Sequence, residues 1–146
     1  QGAIMFIIAL PIIVINSTPR TDFSDWLYGL GVGIWVIGFF TVILADHQMF
    51  FFKEDPHHEG KIMDKGLWRY SRHPNYFGET LQWWAIFIIA IPSGMWYVSI
   101  ISPIVITFLL LKVSGVTMLE KKYDGNDKYA EYKRKTNAFI PWFPKQ

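Results

Sequence analysis

The chain reads as an all-α integral membrane protein, a helical bundle of about four spans. Three observations carry that reading. Hydrophobic residues make up 51% of the 146 residues and charged ones only 18%, where an ordinary soluble domain carries about 25% charged. Aromatics reach 18%, including seven Trp. The apolar residues gather into four segments, and all Lys and Arg but Arg20 gather into two blocks between or after them. The short length makes one domain the prior, so residues 1–146 are read as a single membrane domain.

The first apolar segment, Gly2–Ile15, is interrupted by Pro11 and covers about 21 Å at about 1.5 Å per residue, short for a full span. No basic region or small-residue cleavage site precedes it, so it does not read as a signal peptide. Because the chain starts at Gln1, its natural N-terminus is expected further upstream. The second segment, Trp26–Ala45, is a full-length span; Gly29, Gly31, Gly33 and Gly38 would let a neighbouring helix approach closely. The third covers about Tyr76–Ile91 and ends at Pro92-Ser93-Gly94. Pro74, favoured at a first helical position, opens it. The fourth covers about Val98–Val113, and its link to the third is so short that the two must form an antiparallel hairpin. After Gly115 the tail alternates aromatic and basic residues, with Asp124-Gly125-Asn126 as a turn between two short helices. There is no internal repeat and no low-complexity stretch.

Charge placement sets the topology. Only Arg20 lies in the 16–25 loop and no basic residue lies in the 92–97 turn. The 46–75 loop and the tail from Lys112 hold the rest, and an even number of spans puts both on one face. The positive-inside rule makes that face cytoplasmic, matrix or stromal. Trp26, Tyr28, Trp96 and Tyr97 fit an interfacial aromatic belt. The absence of Cys excludes disulfides, thiolate nucleophiles and zinc–thiolate sites.

The chemistry concentrates in GLWRYSRHPNYFGETLQWW, residues 66–84. Asn75, Glu79, Gln82 and Ile86 recur at helical spacing, so three polar groups share one stripe of a membrane helix. Such groups are costly at membrane depth and usually functional. The plainer alternative is that Glu79 only favours the positive helix end and pairs with Arg72. Lys65, Arg69, Arg72 and His73 bring positive charge to a helix N-terminus, which suits an anionic ligand. On charge alone the plainer reading is preferred: a basic loop that sets topology or meets anionic lipid. His57 and His58 lie near Asp55 and Glu59, but adjacent residues do not share a helical face, and metal binding is not expected. Asp46-His47 is read as interfacial, just past the second span. There is no glycine-rich phosphate loop, and Trp83 and Trp84 are read as packing residues.

RHPNYFGE, with GLWRYS before it and WW after it, resembles the C-terminal signature of the steroid 5α-reductase-like membrane proteins, most closely their bacterial-type branch. That superfamily also holds sterol reductases and isoprenylcysteine carboxyl methyltransferases. The tail is similar too, with SGV at 114–116, Glu120, Tyr123, Tyr129, Tyr132 and then FIPWFP, so the resemblance covers roughly residues 40–146. It implies NADPH as cofactor. Asn75 and Glu79 would hold the nicotinamide end, and His73 is counted among the cofactor-binding residues. Arg72, Tyr76, Tyr129 and Tyr132 would wall the cofactor, and Lys65 and Arg69 are candidates for its phosphates. The methyltransferases share Arg-His-Pro-x-Tyr but generally lack the Asn before Tyr and the acid after Gly, which favours the dinucleotide over S-adenosylmethionine. The reductases carry several more spans and place their substrate-protonating residues on earlier helices. The substrate half is therefore expected upstream, on another chain, or lost with activity.

Three functions follow as expectations. The first is an NADPH-dependent reductase, or its cofactor-binding part, acting on a conjugated double bond of a steroid-like or other lipid. The second is a non-catalytic accessory subunit of a larger membrane complex. The third is a methyltransferase of the isoprenylcysteine type. The expected partners are membrane lipids, a lipid substrate and other membrane subunits, not nucleic acid.

Overall fold

A computed structural model describes residues 2–18, 25–113 and 115–145, which form helices and no strand. Arg20 and Ser114 lie outside the described residues. The helices are α1 (Gly2–Ser17), α2 (Asp25–Glu54), α3 (Pro74–Ala90), α4 (Trp96–Ser99), α5 (Ile101–Phe108), α6 (Val116–Lys121) and α7 (Asp127–Lys135). Two stretches are long and apolar enough to cross a membrane, α2 and the run Trp96–Lys121. That is fewer than the four spans expected. The reason is length: α1 has 16 residues and α3 has 17, about 24–26 Å of helix at about 1.5 Å per residue, against a hydrocarbon core of about 30 Å.

The chain forms two compact units. The first joins residues 1–39 with residues 79–109. In it α1 packs against α4 and α5. Pro11 does not interrupt α1, which runs through it. A proline removes a single intrahelical hydrogen bond, and a neighbouring hydroxyl can satisfy backbone groups near it. Ser102 of α5 meets the same turn, donating to the Ile8 carbonyl at 2.6 Å, next to the Ile7 carbonyl that loses its partner at Pro11. Between α3 and α5 the Trp84 indole N–H reaches the Thr107 hydroxyl at 3.3 Å, a contact of the kind the expected hairpin requires. Gly94, at φ 78°, makes the turn before α4. Of the α2 glycines, Gly31 meets α3: a Cβ there would lie 2.5 Å from Ile89 Cγ1 and 3.0 Å from the Ala85 carbonyl. Gly29 and Gly33 face open space. Leu30, Val36, Ile37 and Phe39 are exposed. Only 11% of the most apolar window of α2 is buried, whereas the core helix of a soluble protein would bury most of it.

The second unit joins residues 40–78 with residues 110–146. Here α2 continues well past Ala45, to Glu54, so Asp46 and His47 are helical rather than flanking residues. The motif segment docks on this part of α2. The Trp68 indole donates to the Ala45 carbonyl at 3.0 Å, and the Leu67 N–H donates to Gln48 Oε1 at 3.0 Å. Gly66 adopts φ 59°, a left-handed backbone that favours glycine, and it sits against the end of the Gln48 side chain. The tail forms α6 and α7 as the turn residues foretold. Gly125 takes φ 84°, and the Asn126 side chain caps α7 by accepting from the Tyr129 N–H at 3.1 Å. The last segment then returns along the motif. Arg72 N–H donates to the Asn137 carbonyl at 2.9 Å, Ser71 Oγ to the Phe139 carbonyl at 2.7 Å, and Trp142 N–H to the Tyr70 carbonyl at 3.0 Å. The basic loop and the tail are thus bound together, as their shared charge led us to expect.

Candidate functional site

The site grows from the motif just before α3. Arg72 is buried, and its guanidinium is fully engaged. Nε and Nη2 both lie 2.8 Å from Glu120 Oε1, and Nη1 donates to the carbonyls of Lys133, at 3.0 Å, and Thr136. The second Glu120 oxygen takes Lys133 Nζ at 2.8 Å. The acid that Arg72 engages is therefore Glu120 of α6 and not Glu79, which corrects the pairing considered from the sequence. Buried charge of this kind is tolerated only when paired and hydrogen-bonded.

His73 lies beside this cluster, its Nε2 3.4 Å from Glu120 Oε1. Burial pushes the imidazole below its ordinary value of 6.5, against the opposing pull of the Glu120 carboxylate, so it is neutral at physiological pH. Tyr76 stacks on it, ring centroids 5.5 Å apart. Tyr132 donates its hydroxyl to the Trp68 carbonyl. Tyr129 stacks on Tyr123, centroids 4.3 Å apart. Burial first, and the Glu120 charge second, raise the Tyr129 phenol to about 12. Burial and the neighbouring Tyr129 raise Tyr132 further. Both phenols are held neutral.

A cavity of about 720 Å³ opens beside these groups. Of the nine residues named from the sequence, Arg72, His73, Asn75, Tyr129 and Tyr132 line it. The Asn75 amide donates to Asp46 Oδ1 at 3.0 Å, and its oxygen accepts from the Tyr76 N–H at 3.0 Å. Trp68, Phe52 and Met49 supply apolar wall, and Lys53 and Lys61 supply cations among the carboxylates Asp46, Glu54, Asp55 and Glu59. Tyr76 and Glu79, both half-buried on α3 and both with interactions of their own, are not among the lining residues. Lys65 is exposed and lines no described cavity, and Arg69 lines a different one, of about 430 Å³. The expected common phosphate site of Lys65 and Arg69 is therefore not assembled at the first cavity.

Sequence reasoning missed two participants. Asp46 was taken as interfacial but faces the cavity and holds Asn75. Glu120 was noticed only as part of the resemblance, yet it is the hub of the buried charges. Arg72 lies 48 residues from it and His73 47, and no local pattern marks such pairs. Among the described residues no group of three or more His, Asp or Glu is placed to hold a metal ion.

A family model described as "Protein of unknown function (DUF1295)" matches residues 1–136, and this family is associated with steroid 5α-reductase-like proteins. The match reaches further toward the N-terminus than the resemblance read from the motif. No curated protein and no solved structure matches the chain.

Proposed function

The chain belongs to the DUF1295 family, and from that premise we propose that it is the NADPH-binding part of a multi-pass membrane reductase acting on a conjugated double bond of a steroid-like or other lipid. In this reading α1 and α3 join α2 and the Trp96–Lys121 run as spans, their short length met by local bilayer thinning. The basic loop and tail then share the cytoplasmic, matrix or stromal face.

The observation that carries the proposal is the cavity beside the RHPNY motif. Its volume of about 720 Å³ falls within the roughly 300–1,000 Å³ typical of small-molecule sites. The residues present fit a dinucleotide. Trp68, Tyr123 and Tyr129 offer aromatic surface for its rings, the Asn75–Asp46 pair offers a donor and an acceptor for a carboxamide, and Lys53 and Lys61 offer charge for phosphate. The cofactor, when bound, supplies a hydride. The chain's own part is to orient the ring, exclude water and keep His73 neutral beside the site. Glu79 enters through the resemblance alone.

Titration of the purified full chain with NADPH and with S-adenosylmethionine tests this. NADPH is expected to bind more tightly, and Asn75→Ala is expected to weaken it by roughly 2- to 13-fold, the worth of a hydrogen bond between neutral groups. Tight S-adenosylmethionine binding with no dinucleotide binding would reverse the assignment. One observation favours the accessory-subunit reading: Arg72, Asn75 and Tyr132 already use polar atoms inside the fold. An unliganded chain that assembles stably with other membrane subunits would support it.

A further inference from the structure

The smaller cavity, of about 430 Å³, has a different character from the first. Four cations line it, Lys61, Arg69, Lys128 and Lys135, against two carboxylates, Asp64 and Glu131. Lys135 is held by Glu131 at 2.6 Å. Among the described residues the side chains of Lys61, Arg69 and Lys128 enter no hydrogen bond or ion pair, so their charge is available to an outside anion.

Pro144 also lines this cavity, and it ends the segment that carries Ile140, Trp142 and Phe143. These three are among the most exposed large apolar side chains described, at 62%, 66% and 76%. The segment is pinned in place. Trp142 N–H donates to the Tyr70 carbonyl at 3.0 Å, Lys145 N–H donates to the Lys135 carbonyl at 2.8 Å, and Phe143 meets Tyr70 edge-to-face at 6.1 Å. The fold thus presents a fixed aromatic edge to the outside, bordering a basic pocket. An exposed apolar edge of this kind marks a surface for a partner. Trp at the edge and cations beside it are what the interface of a negatively charged membrane selects.

We propose that this corner binds an anionic phospholipid, its headgroup phosphate on Arg69 and Lys128 and its upper chain region against Trp142 and Phe143. Charge complementarity favours the lipid over a protein partner, and the apolar rim favours it over a free phosphate. The inference is independent of the NADPH assignment, because Arg69 and Lys128 line only the smaller cavity.

The test uses the delipidated full chain in a neutral detergent, titrated with phosphatidylglycerol or phosphatidylcholine, and bound lipid is counted by native mass spectrometry. Phosphatidylglycerol is expected to be retained preferentially. Each charge removed is expected to cost about fivefold in affinity, so the Arg69→Gln/Lys128→Gln pair should lose roughly 25-fold. Trp142→Ala should weaken retention as well, while Lys122→Gln, an exposed lysine outside both cavities, should not. Equal retention of the two lipids, an unaffected double variant, or displacement of the lipid by inorganic phosphate or NADPH at equal concentration would each overturn the proposal.

Discussion

Arg69 and Arg72 lie three residues apart in one basic segment, and they live in different worlds. Arg72 is buried, and its guanidinium meets a carboxylate and two carbonyls. Arg69 is exposed at the mouth of a cationic cavity, with no side-chain partner among the described residues. The first arginine is a fastener that joins the motif to α6 and α7. The second is an unanswered charge. The contrast teaches that positive charge within one short loop is two populations, one consumed by the fold and one left for ligands, and that mutations should separate them.

The largest separation is expected at Arg72. Arg72→Met breaks the buried pair with Glu120, leaving that carboxylate Lys133 and His73, and strands the Lys133 and Thr136 carbonyls; it should cost about 3–5 kcal/mol, the usual penalty for breaking a buried charge pair. Arg72→Lys should recover only part of it, because an ammonium cannot fork to a carboxylate and two carbonyls at once. Denaturant or thermal unfolding in detergent measures both, and wild-type stability in Arg72→Met would abolish the distinction. Next comes Tyr132→Phe, which strands the Trp68 carbonyl and should cost about 1–3 kcal/mol.

A pH series gives a smaller effect with a definite sign. The folded state holds His73 below its ordinary 6.5. As pH falls through 6.5 the unfolded chain takes up a proton that the folded chain does not, so stability falls with it until the lowered folded value is reached. His73→Gln should flatten that part of the profile, and an identical slope in the variant would remove His73 from the account. The smallest effect belongs to Arg69. Arg69→Gln should stay within about 0.5 kcal/mol of wild type in stability, as surface changes do, while its lipid retention drops. A large stability loss there would make Arg69 a second fastener.

Much of the helical framework was legible. Pro74 opening α3, the Pro92–Gly94 stop, the α3–α5 hairpin and the Asp124–Asn126 turn all follow from local chemistry, which one stretch of chain contains by itself. The errors came where a distant group intervened. Pro11 reads as an interruption locally, yet α1 runs through it while packed on α4 and α5, whose residues lie far along the chain. The end of α2 was set at Ala45 because the charged residues beyond it resemble a loop, and nothing local shows that Gln48 and Ala45 receive Leu67 and Trp68. At the site, Asn75 and His73 could be placed beside a cavity from the motif. Arg69 and Arg72 could not be told apart, because what distinguishes them is Glu120, 48 residues beyond Arg72.

The Ser102–Ile8 hydrogen bond also sets a clock on biosynthesis. Those two residues are separated by 94 positions, and at about 5–20 residues per second of translation α1 waits roughly 5–20 s for α5 to be made. Throughout that interval the Ile8 carbonyl lacks the hydroxyl that later donates to it. A nascent chain arrested before Ser102 should therefore crosslink through Ile8 to the insertion machinery. One arrested well after α5 has emerged should not, and equal crosslinking at both lengths would show that α1 is released before its partner arrives.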